Sequence, residues 1–114
     1  MVSSASGLCK EVKIIVEYIR YELKEHPLES LVEAYAKAGA HLQAAPECLG
    51  YELAAARDAP SSFTLRILWT SADSHLQGFR KGPNFPPFVQ LVRPFIAEIA
   101  EMRHYAGVGV EWSR

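Results

Sequence analysis

The segment from Val12 to Leu23 limits the fold more than any other. Its residues alternate between two faces, and both sets are largely apolar or aromatic. Ile14, Val16, Tyr18 and Arg20 point one way; Ile15, Glu17, Ile19 and Tyr21 point the other. β-branched and aromatic side chains suit a pleated strand. A strand with one wet face keeps one polar set. This one has none, so both faces call for cover, and the chain is too short to supply two covering layers. With 114 residues it has room for one core.

The rest of the pattern says what covers the first face. His26-Pro27 ends the strand, and Pro27 suits the first turn of a helix. Leu28, Leu31, Val32, Tyr35, Gly39 and Leu42 recur at helical spacing as far as about Ala44. Glu33 and Lys37 lie off that stripe as an i,i+4 pair. Glu47 to Leu53 opens a second strand, and Phe63 to Trp69 forms a third, with Phe63, Leu65, Ile67 and Trp69 on one face. The turn cluster Arg57-Asp58-Ala59-Pro60-Ser61-Ser62 between them predicts a hairpin. A short helix is expected over residues 71–80, with Ser71 as its cap, and a second helical stretch over 86–99. Pro94 lies inside that stretch, so a kink or restart is expected at Arg93. Met102 to Val108 reads as a last strand.

Strand, helix, two strands, helix pair and strand give the ferredoxin-like βαββαβ order, an α+β fold with an antiparallel sheet. The domain is expected over residues 12–108, after a small-residue lead-in at 1–11 and before a tail at 109–114. The uncovered sheet face predicts a homodimer that pairs sheet to sheet.

Composition excludes several classes. The formal net charge of -1 gives no basic surface for nucleic acid. The start ends in Leu8-Cys9 but lacks the charged and apolar regions of a signal peptide, and no apolar run spans a bilayer. No membrane partner and a cytoplasmic location are expected. Cys9 and Cys48 have neither a CxxC neighbour nor a histidine at ligand spacing, which argues for two free thiols and leaves a bridge between them open. No serine-histidine-aspartate spacing, phosphate loop or HExxH appears, and no metal set is visible along the chain.

Three segments carry a family resemblance. Pro46-Glu47-Cys48-Leu49-Gly50-Tyr51-Glu52-Leu53, Phe63 through Ser71, and Asn84-Phe85 with Phe88 and Leu91 through Phe95 resemble the antibiotic-biosynthesis monooxygenases. Their order and spacing carry the likeness, over about residues 12 to 108. The resemblance implies a dimeric α+β barrel that needs no flavin or metal and oxidises a small aromatic or quinol-like compound with O2. The chain departs from the family pattern where Ile67 replaces a glutamate two residues before the tryptophan, and where Gly78 and Asn84 replace histidines. A heme-degrading branch shares the fold, but Tyr18, Phe88 and Val89 stand where its asparagine and iron ligand belong, so heme degradation is not expected. A non-catalytic dimeric binding or stress-response domain of the same fold is the alternative.

Such chemistry needs an apolar pocket with a few polar groups. Trp69 is the expected wall, with its stacking face and N–H. His75, six residues on, is the preferred base, and His104 the next candidate. Tyr18, Tyr51, Phe79, Phe88, Leu91 and Phe95 are the expected substrate-binding residues. Trp69 could equally be a core residue, and the tyrosines and histidines structural. Arg66 is expected on the face away from Trp69, paired across the dimer with a carboxylate such as Glu17 or Glu52. His26 and His41 are expected at the surface.

Overall fold

The computed structural model describes residues 14–114. The lead-in expected over residues 1–11 lies outside them. Strand β1 (Ile15–Glu22) is followed by helix α1 (Leu28–Ala44), β2 (Cys48–Ala55), β3 (Ser62–Trp69), a π-helical turn (Ser74–Phe79), helix α2 (Phe85–Val92), a 3-10 segment (Arg93–Glu98) and β4 (Ile99–Ala106). The four strands form one antiparallel sheet in the order β2-β3-β1-β4. This is the ferredoxin-like α+β fold. No helix of the described residues is long and apolar enough to cross a membrane.

β1 is central, so both of its edges are paired. Ile15, Glu17, Ile19 and Tyr21 face the helices and are buried. On β3 the set Phe63, Leu65, Ile67 and Trp69 joins them, as the alternation predicts. Leu31, Tyr35, Ala38 and Leu42 of α1 close the core from above. A fully buried leucine such as Leu31 or Leu65 contributes roughly 1.5–3 kcal/mol over an exposed one. The buried stripe of α1 is rotated from the expected one: Leu28 and Val32 are exposed, and Ala38 takes part instead. Gly39 permits the close approach of β2, because a Cβ there would strike the Tyr51 hydroxyl.

The proline in the last helical stretch acts as expected. α2 ends at Val92 and a 3-10 segment begins at Arg93, with Pro94 in its first turn. The tighter 3-10 coil rises faster per residue, and the chain is already extended at Ile99. The last strand therefore starts at Ile99, three residues before the expected Met102.

Glu98, at the end of the 3-10 segment, ties the β1–α1 turn to this corner. Its Oε2 accepts the backbone N–H groups of Lys24 (2.5 Å) and Glu25 (2.6 Å), and its Oε1 lies 2.6 Å from His26 Nδ1. These donors favour the carboxylate and hold Glu98 well below the ordinary range, at about 2. His26, expected at the surface, is half-buried, with its ring on Phe95.

The outer sheet face has two halves. Arg20, Glu22, Glu101 and Arg103 make an ion-pair cluster at one end. Towards the other end lie Val16, Tyr18, Leu68 and Tyr105, with the tyrosine rings edge to face at 5.5 Å. Arg66 is on this face, beside Tyr18 and Glu52 in register.

Candidate active site

Strand register builds the site. Glu17 is the one charged residue in the inward set of β1. Its neighbours across the sheet are Ile67 on β3 and His104 on β4. Trp69 lies diagonally two residues beyond Ile67, and its Nε1–H donates to Glu17 Oε1 at 2.9 Å. Glu17 was expected as a cross-dimer partner for Arg66. It points to the opposite face, because its parity is that of Ile15 and Ile19.

The π-helical turn brings in the imidazole. The N–H of Arg80 bonds the carbonyl of His75, five residues back, the spacing of a π-helix, a form frequent at functional sites. His75 and Phe79 both project onto Trp69. The His75 ring stacks on the indole at 4.5 Å and 13°, and Phe79 lies at 5.0 Å. His75 Nε2 is 3.6 Å from Glu17 Oε1, and its Nδ1 is 3.1 Å from His104 Nε2. His104 Nε2 is in turn 3.4 Å from Glu17 Oε2. Glu17 and His75 are buried, whereas His104, on an edge strand, is partly exposed.

Burial sets the protonation of the pair. It raises the proton affinity of Glu17 above the ordinary carboxyl value, against the opposing pull of the Trp69 N–H and the charges of His104 and Arg80. It lowers that of His75 to about 4, helped by the positive charges of Arg80 and His104. At neutral pH His75 is therefore a neutral imidazole. A tautomer with the proton on Nε2 points it at Glu17 and leaves Nδ1 to accept from His104.

A cavity of about 190 Å³ opens beside these groups, with Glu17, Trp69, His75, Phe79, Phe88 and Tyr35 on its walls. It is mostly apolar. Away from the carboxylate, Tyr21 and Tyr35 share a buried hydrogen bond of 2.5 Å between their hydroxyls. Burial raises both hydroxyl proton affinities, so both remain neutral donors.

The expected site residues divide. Trp69, His75, Phe79 and Phe88 line the cavity. His104 reaches it through His75 and Glu17. Tyr18 lies on the outer face, since it shares parity with Val16 and Arg20. Tyr51 is on the inner face, but its hydroxyl accepts from Gln43 over Gly39 of α1. Leu91 packs against the core, and Phe95 is buried against His26. Glu17, Tyr21 and Tyr35 were not among the expected site residues. Glu17 had a signal in the sequence, a lone carboxylate among apolar residues of one parity. The cluster Glu17, His75 and His104 offers donor atoms within 4.8 Å of one another. No spacing along the chain reveals it, because the strand register assembles it.

The model of the antibiotic biosynthesis monooxygenase family matches residues 14–91. The chain belongs to that family. A Bordetella bronchiseptica protein assigned to the same family superposes with a TM-score of 0.73 and 25% identity, over 84% of this chain and 98% of that one. A Chloroflexus aurantiacus protein of the same assignment gives 0.67 and 19%, over 87% and 97%. SnoaB from Streptomyces nogalater, a cofactor-independent oxygenase, gives 0.67 and 16%, over 88% and 96%. At 19% and 16% these last two likenesses bear on the fold. No curated protein matches the chain. The family pattern places a glutamate two residues before the tryptophan; this member has Ile67 there, and a carboxylate, Glu17, at the position paired with it across the sheet.

Proposed function

We propose that this protein is a cofactor-independent monooxygenase that oxidises a small, flat, quinol-like aromatic with O2. The observation that carries the reading is the buried Glu17 carboxyl at one end of an apolar, aromatic-walled cavity. An apolar cavity of roughly 150 Å³ takes a benzene ring, so about 190 Å³ suits one substituted ring or a small fused pair. Membership of the monooxygenase family and the fold shared with SnoaB support the reaction class.

The chemistry asks little of the chain. An activated methylene or phenol gives up a proton, and the resulting anion passes an electron to O2. The radical pair combines to a peroxide, which loses water. For a methylene the balance is ArCH2Ar′ + O2 → ArC(O)Ar′ + H2O. The substrate supplies all the electrons, one oxygen atom enters the product, and the other leaves as water.

Glu17 is the base in this scheme. A carboxyl with raised proton affinity is a better acceptor at working pH than an ordinary one. His75 and Trp69 keep it oriented through their N–H groups. His75 is the weaker candidate, because its affinity is low and both ring nitrogens face other side chains. Phe79 and Phe88 sandwich the ring, and the Tyr21–Tyr35 pair can donate to a far carbonyl.

A second copy completes the molecule by covering Val16, Tyr18, Leu68 and Tyr105 on the outer face. Light scattering should then report twice the 12.7 kDa chain mass. The reaction is tested by oxygen uptake with a panel of hydroquinones and anthrone-like phenols. Stoichiometric O2 consumption with a ketone product is expected. Saturable binding of the same rings with no uptake would assign the protein to the non-catalytic alternative.

A further inference from the structure

We propose that Glu17, His75 and His104 form a three-ligand site for a divalent first-row transition metal, open on its cavity side. Three observations carry this. The first is donor chemistry: two imidazoles and one carboxylate suit zinc, iron, cobalt or nickel, whereas magnesium and calcium prefer all-oxygen sets.

The second is spacing. Nitrogen and oxygen ligands bind zinc at about 2.0–2.2 Å, which at the tetrahedral angle sets donors roughly 3.3–3.6 Å apart. His104 Nε2 lies 3.4 Å from Glu17 Oε2 and 3.1 Å from His75 Nδ1. All three residues offer donor atoms within 4.8 Å of one another. An ion among them would need shifts of a few tenths of an ångström, within reach of an edge-strand histidine.

The third is support behind the ligands. Trp69 Nε1–H holds Glu17 Oε1 at 2.9 Å and so turns Oε2 towards His104. The indole also stacks on His75 and fixes its ring plane. Metal-binding carboxylates and imidazoles are generally oriented in this way by a further shell of contacts. Because Glu17 and His75 line the cavity, the remaining coordination positions face it, as in sites that admit a substrate or water.

The ion and the proton compete for one carboxylate, so a metal-loaded site has no free base. Binding is read without turnover, so this inference stands or falls separately from the oxygenation reading.

The test is calorimetric titration of the chelator-stripped full chain with Zn2+, and with Co2+ followed by visible absorbance. One ion per chain is expected, with cobalt bands of a four- or five-coordinate site. Mg2+ should give no heat. Trp69→Phe keeps all three ligands and should weaken binding by roughly 10–100-fold. Glu17→Gln and His104→Ala should weaken it more. His104 is part-exposed, so its variant keeps the fold, which circular dichroism checks. No saturable binding to the wild type overturns the proposal. So does binding that Glu17→Gln and His104→Ala leave unchanged, since the ion would then sit elsewhere.

Discussion

Glu17 and Glu98 are both buried glutamates beside a histidine, yet the fold treats them in opposite ways. Glu98 receives two backbone N–H groups and His26 Nδ1, all within 2.6 Å. Its charge is fully answered, and its proton affinity falls to about 2. Glu17 receives one short bond, from Trp69, while its two histidines stand off at 3.4 and 3.6 Å. Burial outweighs that single donor, and its affinity rises. Donors aimed at the carboxylate, more than burial, separate the two. Glu98 is a fastening at a corner of the fold; Glu17 opens on a cavity.

The strongest way to break this comparison is to neutralise each residue in turn. Glu17→Gln should lower the rate of quinol oxidation by about 10²–10⁴-fold, the usual worth of a general base, with little loss of thermal stability. Glu98→Gln should do the reverse, lowering the thermal midpoint and leaving oxygen uptake within a few-fold of the wild type. Equal rate losses in both would dissolve the distinction.

Acid unfolding sharpens it. In the folded chain Glu98 stays ionised down to about pH 2, whereas the unfolded residue takes up a proton near its ordinary 4.5. Its contribution is therefore complete above that value and is lost as pH falls from 4.5 towards 2. His75 acts in a higher window. Unfolded, it protonates below about 6.5; folded, it resists until about 4. The unfolded state binds more protons in between, so stability falls as pH drops through that range as well. Urea titrations at a series of pH values should show both slopes. Glu98→Gln should remove only the lower one, and His75→Gln only the upper.

The smallest effect concerns the exposed member of the cluster. His104→Ala removes a positive neighbour that helps to hold His75 down. The His75 imidazole signal should then titrate at a higher pH by NMR, with the fold intact. An unmoved midpoint would mean that burial and Arg80 account for His75 unaided.

The fold was more legible in the sequence than the site. Strand order followed from alternation in Ile15–Tyr21 and Phe63–Trp69, and the break at Arg93 followed from Pro94, because such signals are local. Trp69, His75 and Phe79 could be placed together for the same reason: a strand end and the turn after it keep neighbours close. Glu17 could not be placed so. Alternation put it with Ile15 and Ile19 but did not say which parity faces the helices, since both faces of β1 are apolar. Tyr18 was drawn to the site by the same ambiguity. Tyr51 is on the correct face, but the notch at Gly39 seats it over α1, and one glycine in a helix does not announce such a contact. The meeting of His104 with Glu17 depends on β1–β4 register, which links residues far apart in the chain.

The central claim is that Glu17 holds a proton more readily than a free carboxyl, at the mouth of a ring-sized cavity. Carbon-13 NMR of glutamate-labelled protein tests it most directly by following the side-chain carboxyls of Glu17 and Glu98 in one pH titration. The account predicts a Glu17 midpoint above the ordinary 4.5 and a Glu98 midpoint near 2. A Glu17 midpoint at or below 4.5 would contradict it.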